Sequence, residues 1–125
     1  AGVAMEMKEI ECNGFLPDSC MNGSVDDFYE VMLKHESHFK SLLDQANANK
    51  SKLKFVASFE NGKASVGLQQ IRPESDMFHL YGKDNIVLFY TDRYDQQPLV
   101  IKGAGAGADV TASGVFADTL RTINN

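Results

Sequence analysis

The sequence predicts an α+β fold, with a mixed, mostly antiparallel sheet layered with helices. Three observations predict it. Residues 53–68 alternate apolar and polar side chains on both sides of an Asn61-Gly62 pair. Phe28, Met32, His35, Phe39, Leu42 and Ala46 recur at helical spacing. Ile86 to Tyr90 form a continuous apolar run of the length of a strand buried on both faces.

Taken in order, the chain opens with Met5, Met7, Glu9 and Glu11 alternating with Glu6, Lys8, Ile10 and Cys12, which predicts a short, charged edge strand. Asn13-Gly14 ends it, and Pro17 keeps the next stretch irregular. Ser24 with Asp27 three residues on is a variant of the capping box, and Asp26 and Asp27 both suit the positive end of a helix. The stripe carries one helix to about Gln45, with Val31 and Leu43 beside it and Asp27, Glu30, Lys34 and Lys40 away from it. Asn47 to Ser51 read as its exit.

The hairpin follows. Leu53, Phe55, Ala57 and Phe59 face one way on the outgoing strand, and Ala64, Val66 and Leu68 on the return. Asn61-Gly62 supplies the two positive-φ positions of a type I′ turn. Pro73 closes the return strand, and residues 74–84 form a loop holding Met77, Phe78, Leu80 and Tyr81. After the strand at Ile86–Tyr90, Asp92 to Asp95 make a polar turn, and Leu99-Val100-Ile101 make a short strand beyond Pro98. The last element is a helix striped by Ala112, Phe116, Thr119, Leu120 and Ile123, with Val115 adjacent.

Composition narrows the function. The 125 residues are 43% hydrophobic and 23% charged, which is ordinary globular usage rather than disorder. Twelve basic against seventeen acidic residues give a net charge of −5, so a nucleic-acid partner is not expected. No apolar run approaches the ~18–20 residues of a membrane span. The amino end shows no basic n-region with an apolar h-region, so a secretory signal is not expected either. Cys12 and Cys20 are too few for a disulfide framework, and reduced thiols in the cytoplasm are expected. A lone pair is also half a zinc site, and neither a second pair nor a well-spaced His pair completes it, so no metal is expected. The opening AGVAMEMKEIEC, with no initiator Met and a strand-like run almost at once, suggests a chain cut from something longer.

The informative segment is PLVIKGAGAGADVTASGVFADTL, residues 98–120. Gly103, Gly105 and Gly107 alternate with alanines between a strand and a helix. Glycine permits positive φ, and its missing side chain lets a backbone or ligand come close. A helix start offers unpaired N–H groups to a phosphate or polar ligand. The complete dinucleotide fingerprint is absent: position 108 is Ala, and no second strand with a ribose-binding acid ~20 residues on can follow. Spacing alone leaves two readings open, a tight connection packed on a neighbouring surface and a ligand-facing turn.

This segment closely resembles the carboxyl end of homoserine dehydrogenase, where a strand, a G-x-G-A-G loop and a T-A-x-G-V helix close the enzyme. Phe15-Leu16-Pro17, the helix from Ser24, the Lys54–Ile71 hairpin, and Asn85–Tyr94 before Gln97-Pro98-Leu99 resemble the family in the same order. The resemblance covers the chain from about Met5 onward. The stretch Asp109–Asp118 looks most like the bifunctional enzymes that fuse aspartate kinase to homoserine dehydrogenase.

The resemblance implies reduction of aspartate semialdehyde to homoserine by hydride transfer from NADPH or NADH, in threonine and methionine synthesis. It implies a small-molecule substrate, a homo-oligomer, and a kinase half upstream. It places the catalytic lysines, the carboxylates and the dinucleotide-binding domain before the matched region. No catalytic residue is therefore assigned here, and the chain alone is expected to be inactive. Cofactor preference is set in the preceding domain. Residues 1–102 are expected to be the carboxy-terminal portion of the substrate domain. Residues 103–125 are expected to be the cofactor-proximal loop and a helix returning to the nucleotide-binding domain. Gly107 is the position implied to approach the nicotinamide end of the cofactor, with Gly103, Gly105 and Ala106 shaping the loop. Relatives often run slightly beyond the Thr122-Ile123-Asn124-Asn125 end. Two other readings stand beside this one: a non-catalytic interaction or regulatory module of the same fold, and a small nucleotide- or phosphate-binding protein using the glycine loop alone.

Other residues have plainer explanations. His35 and His38, three apart, lack the further ligands of a metal site and are expected to be structural or surface groups. His79 is expected to pack within its loop. Asp109 suits a cap for the last helix. Asp118 and Arg121 suit a solvated helix pair.

Overall fold

Asn61 and Gly62 both adopt positive φ, 51° and 76°, as the hairpin signal requires. This turn joins β2 (Lys52–Glu60) to β3 (Lys63–Ile71) in an unbroken antiparallel register from Lys52 opposite Ile71 to Glu60 opposite Lys63. The computed structural model describes residues 2–123, so Asn124 and Asn125, the last two residues of the Thr122–Asn125 end noted above, lie outside the described residues, as does Ala1. The chain forms two compact units, one up to Phe78 and the other from His79 onward.

The first unit holds a three-stranded sheet in the order β1-β3-β2. Strand β1 (Glu11–Asn13) lies at an edge, as expected, and pairs parallel with β3. It is shorter than the alternation suggested. Met7–Glu9 instead form a 3-10 turn, closed where the Glu6 N–H donates to the Glu9 carboxylate at 2.6 Å. A local side chain-to-backbone bond of this kind competes directly with strand pairing.

The helix expected from Ser24 to about Gln45 is two helices, α1 (Val25–Lys34) and α2 (Glu36–Ala48), with His35 between them. The His35 N–H donates to Met32 O at 3.0 Å, so the last turn of α1 tightens and its ladder ends. The ring of His35 shares a hydrogen bond of 2.9 Å with Ser19 Oγ, which ties the junction to the 3-10 turn Asp18–Met21. The break leaves the apolar stripe in place. Phe28, Val31, Met32, His35, Phe39 and Leu42 are half-buried and Ala46 is buried.

Helix α2 packs on β2. Phe15 bridges the layers, edge-on to Phe39 at 6.4 Å and to Phe55 at 6.2 Å. His38 Nε2–H donates to Phe15 O at 2.9 Å, so both helix histidines have structural roles. The buried apolar residues are Cys20, Ala46 and Ile71, and no large side chain among the described residues is fully buried. Phe55 and Phe59, which the hairpin pattern turns inward, remain 59% and 49% exposed.

The second unit is a two-stranded antiparallel ribbon, β4 (Asp84–Thr91) with β5 (Tyr94–Ala104), followed by α3 (Ala108–Ile123). A loop with a 3-10 turn, Asp76–His79, precedes it. Strand β4, expected to be buried on both faces, has one partner among the described residues, and its residues alternate between half-buried and exposed as far as Phe89. Strand β5 starts at Tyr94, before Pro98 rather than after it. The proline is accommodated because the register slips between Phe89 and Thr91. A bulge is one of the few places where a strand tolerates a residue with no N–H.

Candidate functional site

The ribbon register determines what surrounds the glycine turn. Asn85 lies opposite Gly103 and Asp84 opposite Ala104, so residues 83–85 come to lie beside residues 103–105. The Gly105 N–H donates to Lys83 O at 3.2 Å and extends the ribbon by one bond. A methyl group built on Gly105 would collide with the Asn85 amide, so an alanine here would force that side chain to turn away.

Gly103 and Ala104 thus end β5, and Gly105 and Ala106 cross to the helix. Gly107 has φ of 132° and is half-buried. Its carbonyl accepts the Thr111 N–H at 3.1 Å, the first helical bond of α3, so Gly107 occupies the N-cap position. Asp109, expected as the cap, lies inside the first turn instead, where its charge complements the helix dipole.

The turn presents bare main chain. A methyl on Gly103 would meet nothing within 4 Å, and one on Gly107 would meet only Lys83 Nζ, at 3.6 Å. Nearby, Lys102 Nζ lies 3.8 Å from the Asp84 carboxylate and donates to His79 O at 3.4 Å. The structure therefore brings Gly103, Gly105, Ala106 and Gly107 together with Lys83 and Asn85. The last two were not singled out from the sequence. The available signal was the strand pairing: once Ile86–Tyr90 is hydrogen-bonded to the segment after Pro98, residues 83–85 must flank the glycines.

A second concavity, of about 470 Å³, lies in the first unit among Phe15, Leu16, His35, His38, Leu42 and Leu68. Both imidazoles there are already hydrogen-bonded to the protein. Cys12 and Cys20 are free thiols, exposed and buried respectively. No group of three metal-ligating side chains occurs among the described residues. None of the described helices is long and apolar enough to cross a membrane.

The described residues form an α+β chain whose last elements are a strand, a bare glycine turn and an exposed helix. The chain belongs to the homoserine dehydrogenase family, whose sequence model matches residues 1–120. It is 32% identical to the bifunctional aspartokinase/homoserine dehydrogenase of Haemophilus influenzae over all of this chain and 16% of that protein. It is 38% identical to the homoserine dehydrogenase of Emericella nidulans over 86% of this chain and 29% of that protein. Among solved structures, a Candida auris protein of unknown function superposes with a TM-score of 0.76 and 32% identity, over 91% of this chain and 32% of that one. The chain thus spans less than a third of each of these relatives.

Proposed function

We propose that this chain is the carboxy-terminal part of a homoserine dehydrogenase that reduces L-aspartate 4-semialdehyde to L-homoserine with NADPH or NADH, in threonine and methionine biosynthesis. Residues 1–102 belong to its substrate domain. Residues 103–125 form the cofactor-proximal loop and the helix that returns to the nucleotide-binding domain. An aspartate kinase precedes it in the same polypeptide, in keeping with the fused relatives it resembles. The protein is a cytoplasmic homo-oligomer. Two free thiols suit that reducing compartment.

The observation that carries the reading is the glycine turn. A side chain on Gly103 would meet nothing and one on Gly107 only the end of the flexible Lys83 side chain, so the bare main chain suits a flat ring lying against it. When bound, the cofactor supplies the hydride. This chain's share is shape. Gly107 borders the nicotinamide end, Gly105 and Ala106 set the path of the turn, and Gly103 ends the supporting strand. The groups that orient the aldehyde and stabilise charge on its oxygen lie outside the chain.

The test uses the complete polypeptide that contains this chain. Purified, it is expected to oxidise NADPH with aspartate semialdehyde, while the 125-residue chain alone gives no turnover. An inactive complete polypeptide, or turnover by the short chain, overturns the reading. Blotting a source-cell lysate with an antibody against this chain separates the remaining cases. A band several times the size of the chain is expected, long enough for the kinase fusion. A band at the chain's own size points instead to a stand-alone interaction module.

A further inference from the structure

We infer that Lys83 reads the charge of the ring that lies against Gly107, disfavouring the oxidised, cationic nicotinamide relative to the reduced, neutral one. This rests on the function proposed above and adds a specificity-determining residue to it.

Three observations converge on Lys83. Its ammonium is the one group among the described residues, beyond Gly107's own chain neighbours, within 4 Å of the position that a Gly107 side chain would occupy, at 3.6 Å. A ligand at that position therefore lies beside the ammonium. Its main chain is fixed to the same turn, because Lys83 O accepts the Gly105 N–H at 3.2 Å. The backbone on either side is also held: Gly82 takes the positive φ of 60° that the turn needs, and the Asp84 N–H donates to Tyr81 O at 3.2 Å. Finally, no described carboxylate pairs with Lys83. The neighbouring Asp84 lies by Lys102 instead. The charge at Gly107 is thus not neutralised within the turn.

The two redox forms of a nicotinamide differ by one positive charge on the ring. An ammonium a few ångströms away repels the oxidised ring and leaves the reduced ring nearly indifferent. Lys83 is exposed, so water and salt screen the effect. Its size is accordingly expected to be about three- to tenfold in relative affinity, rather than orders of magnitude. The consequence is a site that takes up the hydride donor and releases the spent cofactor readily.

The experiment measures binding, without turnover, on the complete polypeptide. Dissociation constants for NADPH and NADP+ are determined by fluorescence titration and calorimetry for the wild type, Lys83→Gln, Lys83→Met and Lys83→Arg. Lys63→Gln, which removes the same charge from the β2–β3 hairpin, serves as the control. The Gln and Met variants are expected to bind NADP+ about three- to tenfold more tightly, with NADPH affinity changed less than about twofold. Arg and the Lys63 variant should keep the wild-type ratio. An unchanged ratio in both neutral variants, with the wild type binding both forms, overturns the role of Lys83 and leaves the proposed function intact. A wild-type protein that binds neither form overturns both.

Discussion

Gly67 lies against Asn13 across the parallel pairing of β3 with β1, so closely that a methyl group on it would run into the Asn13 carbonyl and stand 2.8 Å from Asn13 Cβ. The obstacle is main chain, which cannot swing aside as a flexible side chain does. Gly67→Ala is therefore expected to push β1 off the sheet edge and cost about 1–3 kcal/mol, as overpacking does elsewhere. Urea unfolding of the 125-residue chain measures it. An alanine variant as stable as the wild type would mean that β1 does not hold this register.

The start of α1 predicts a pH dependence. Ser24 N–H and Oγ–H both donate to Asp27 Oδ2, at 2.8 and 2.6 Å, and the Asp27 N–H donates to Ser24 Oγ at 3.2 Å. The Ser24 hydroxyl, and then its N–H, hold the Asp27 carboxyl below its ordinary value near 3.8. A carboxyl lowered in the folded state adds stability above its unfolded pKa, and that stability is lost as pH falls through the folded value. Amide exchange in α1 should therefore show more protection in the wild type than in Asp27→Asn near pH 6. The two should begin to draw together below about pH 4, where the unfolded carboxyl protonates, and meet only below the lowered folded value. Ser24→Ala removes the cap itself and is expected to cost about 1 kcal/mol. Curves for wild type and Asp27→Asn that run parallel down to low pH would rule out the carboxylate as the source.

These two sites show where the sequence is legible. The capping box and the Asn61-Gly62 turn are local, with every participating atom within a few residues, so spacing alone identifies them. The helical stripe is nearly as plain, and the burial of Ala46 with half-burial of Phe39 and Leu42 follows it. The break at His35 is not local. It is tied down by Ser19, sixteen residues away, and no propensity registers such a bond. The parallel pairing of β1 with β3 is equally silent in the sequence, since only the missing side chain of Gly67 hints at it. At the candidate site the glycines announce themselves. Lys83 and Asn85 reach them through strand register, which is set by the whole β4–β5 pairing rather than by a motif.

Asn85 and Gly105 form the tightest point of the glycine turn, and their coupling can be measured. Gly105→Ala places its methyl in the Asn85 amide, so it should destabilise the ribbon. Asn85→Ala removes the amide and leaves only Cβ, 3.2 Å from the new methyl, a contact that a small shift relieves. The double variant is therefore expected to be more stable than the sum of the single effects, by about 0.5–3 kcal/mol in a double-mutant cycle. Strict additivity would show that the two residues do not touch.

Helix α3 carries its stripe in the open. Val115, Phe116, Leu120 and Ile123 are 63%, 64%, 44% and 72% exposed, and every described residue of the helix is exposed. Burying one such side chain fully is worth about 1.5–3 kcal/mol, so four in a row are a strong drive to find cover. A helix of this length without a packed face is also marginal in water. The 125-residue chain is therefore expected to bind a hydrophobic dye and to associate as its concentration rises. Phe116→Glu with Ile123→Glu should lower both signals together, because the two residues share the stripe. If the proposed function holds, the same pair should weaken the seating of this helix in the complete polypeptide and reduce NADPH affinity. A 125-residue chain that stays monomeric and binds no dye at high concentration would show that the stripe is already covered, and that α3 packs on its own unit rather than on a neighbouring domain.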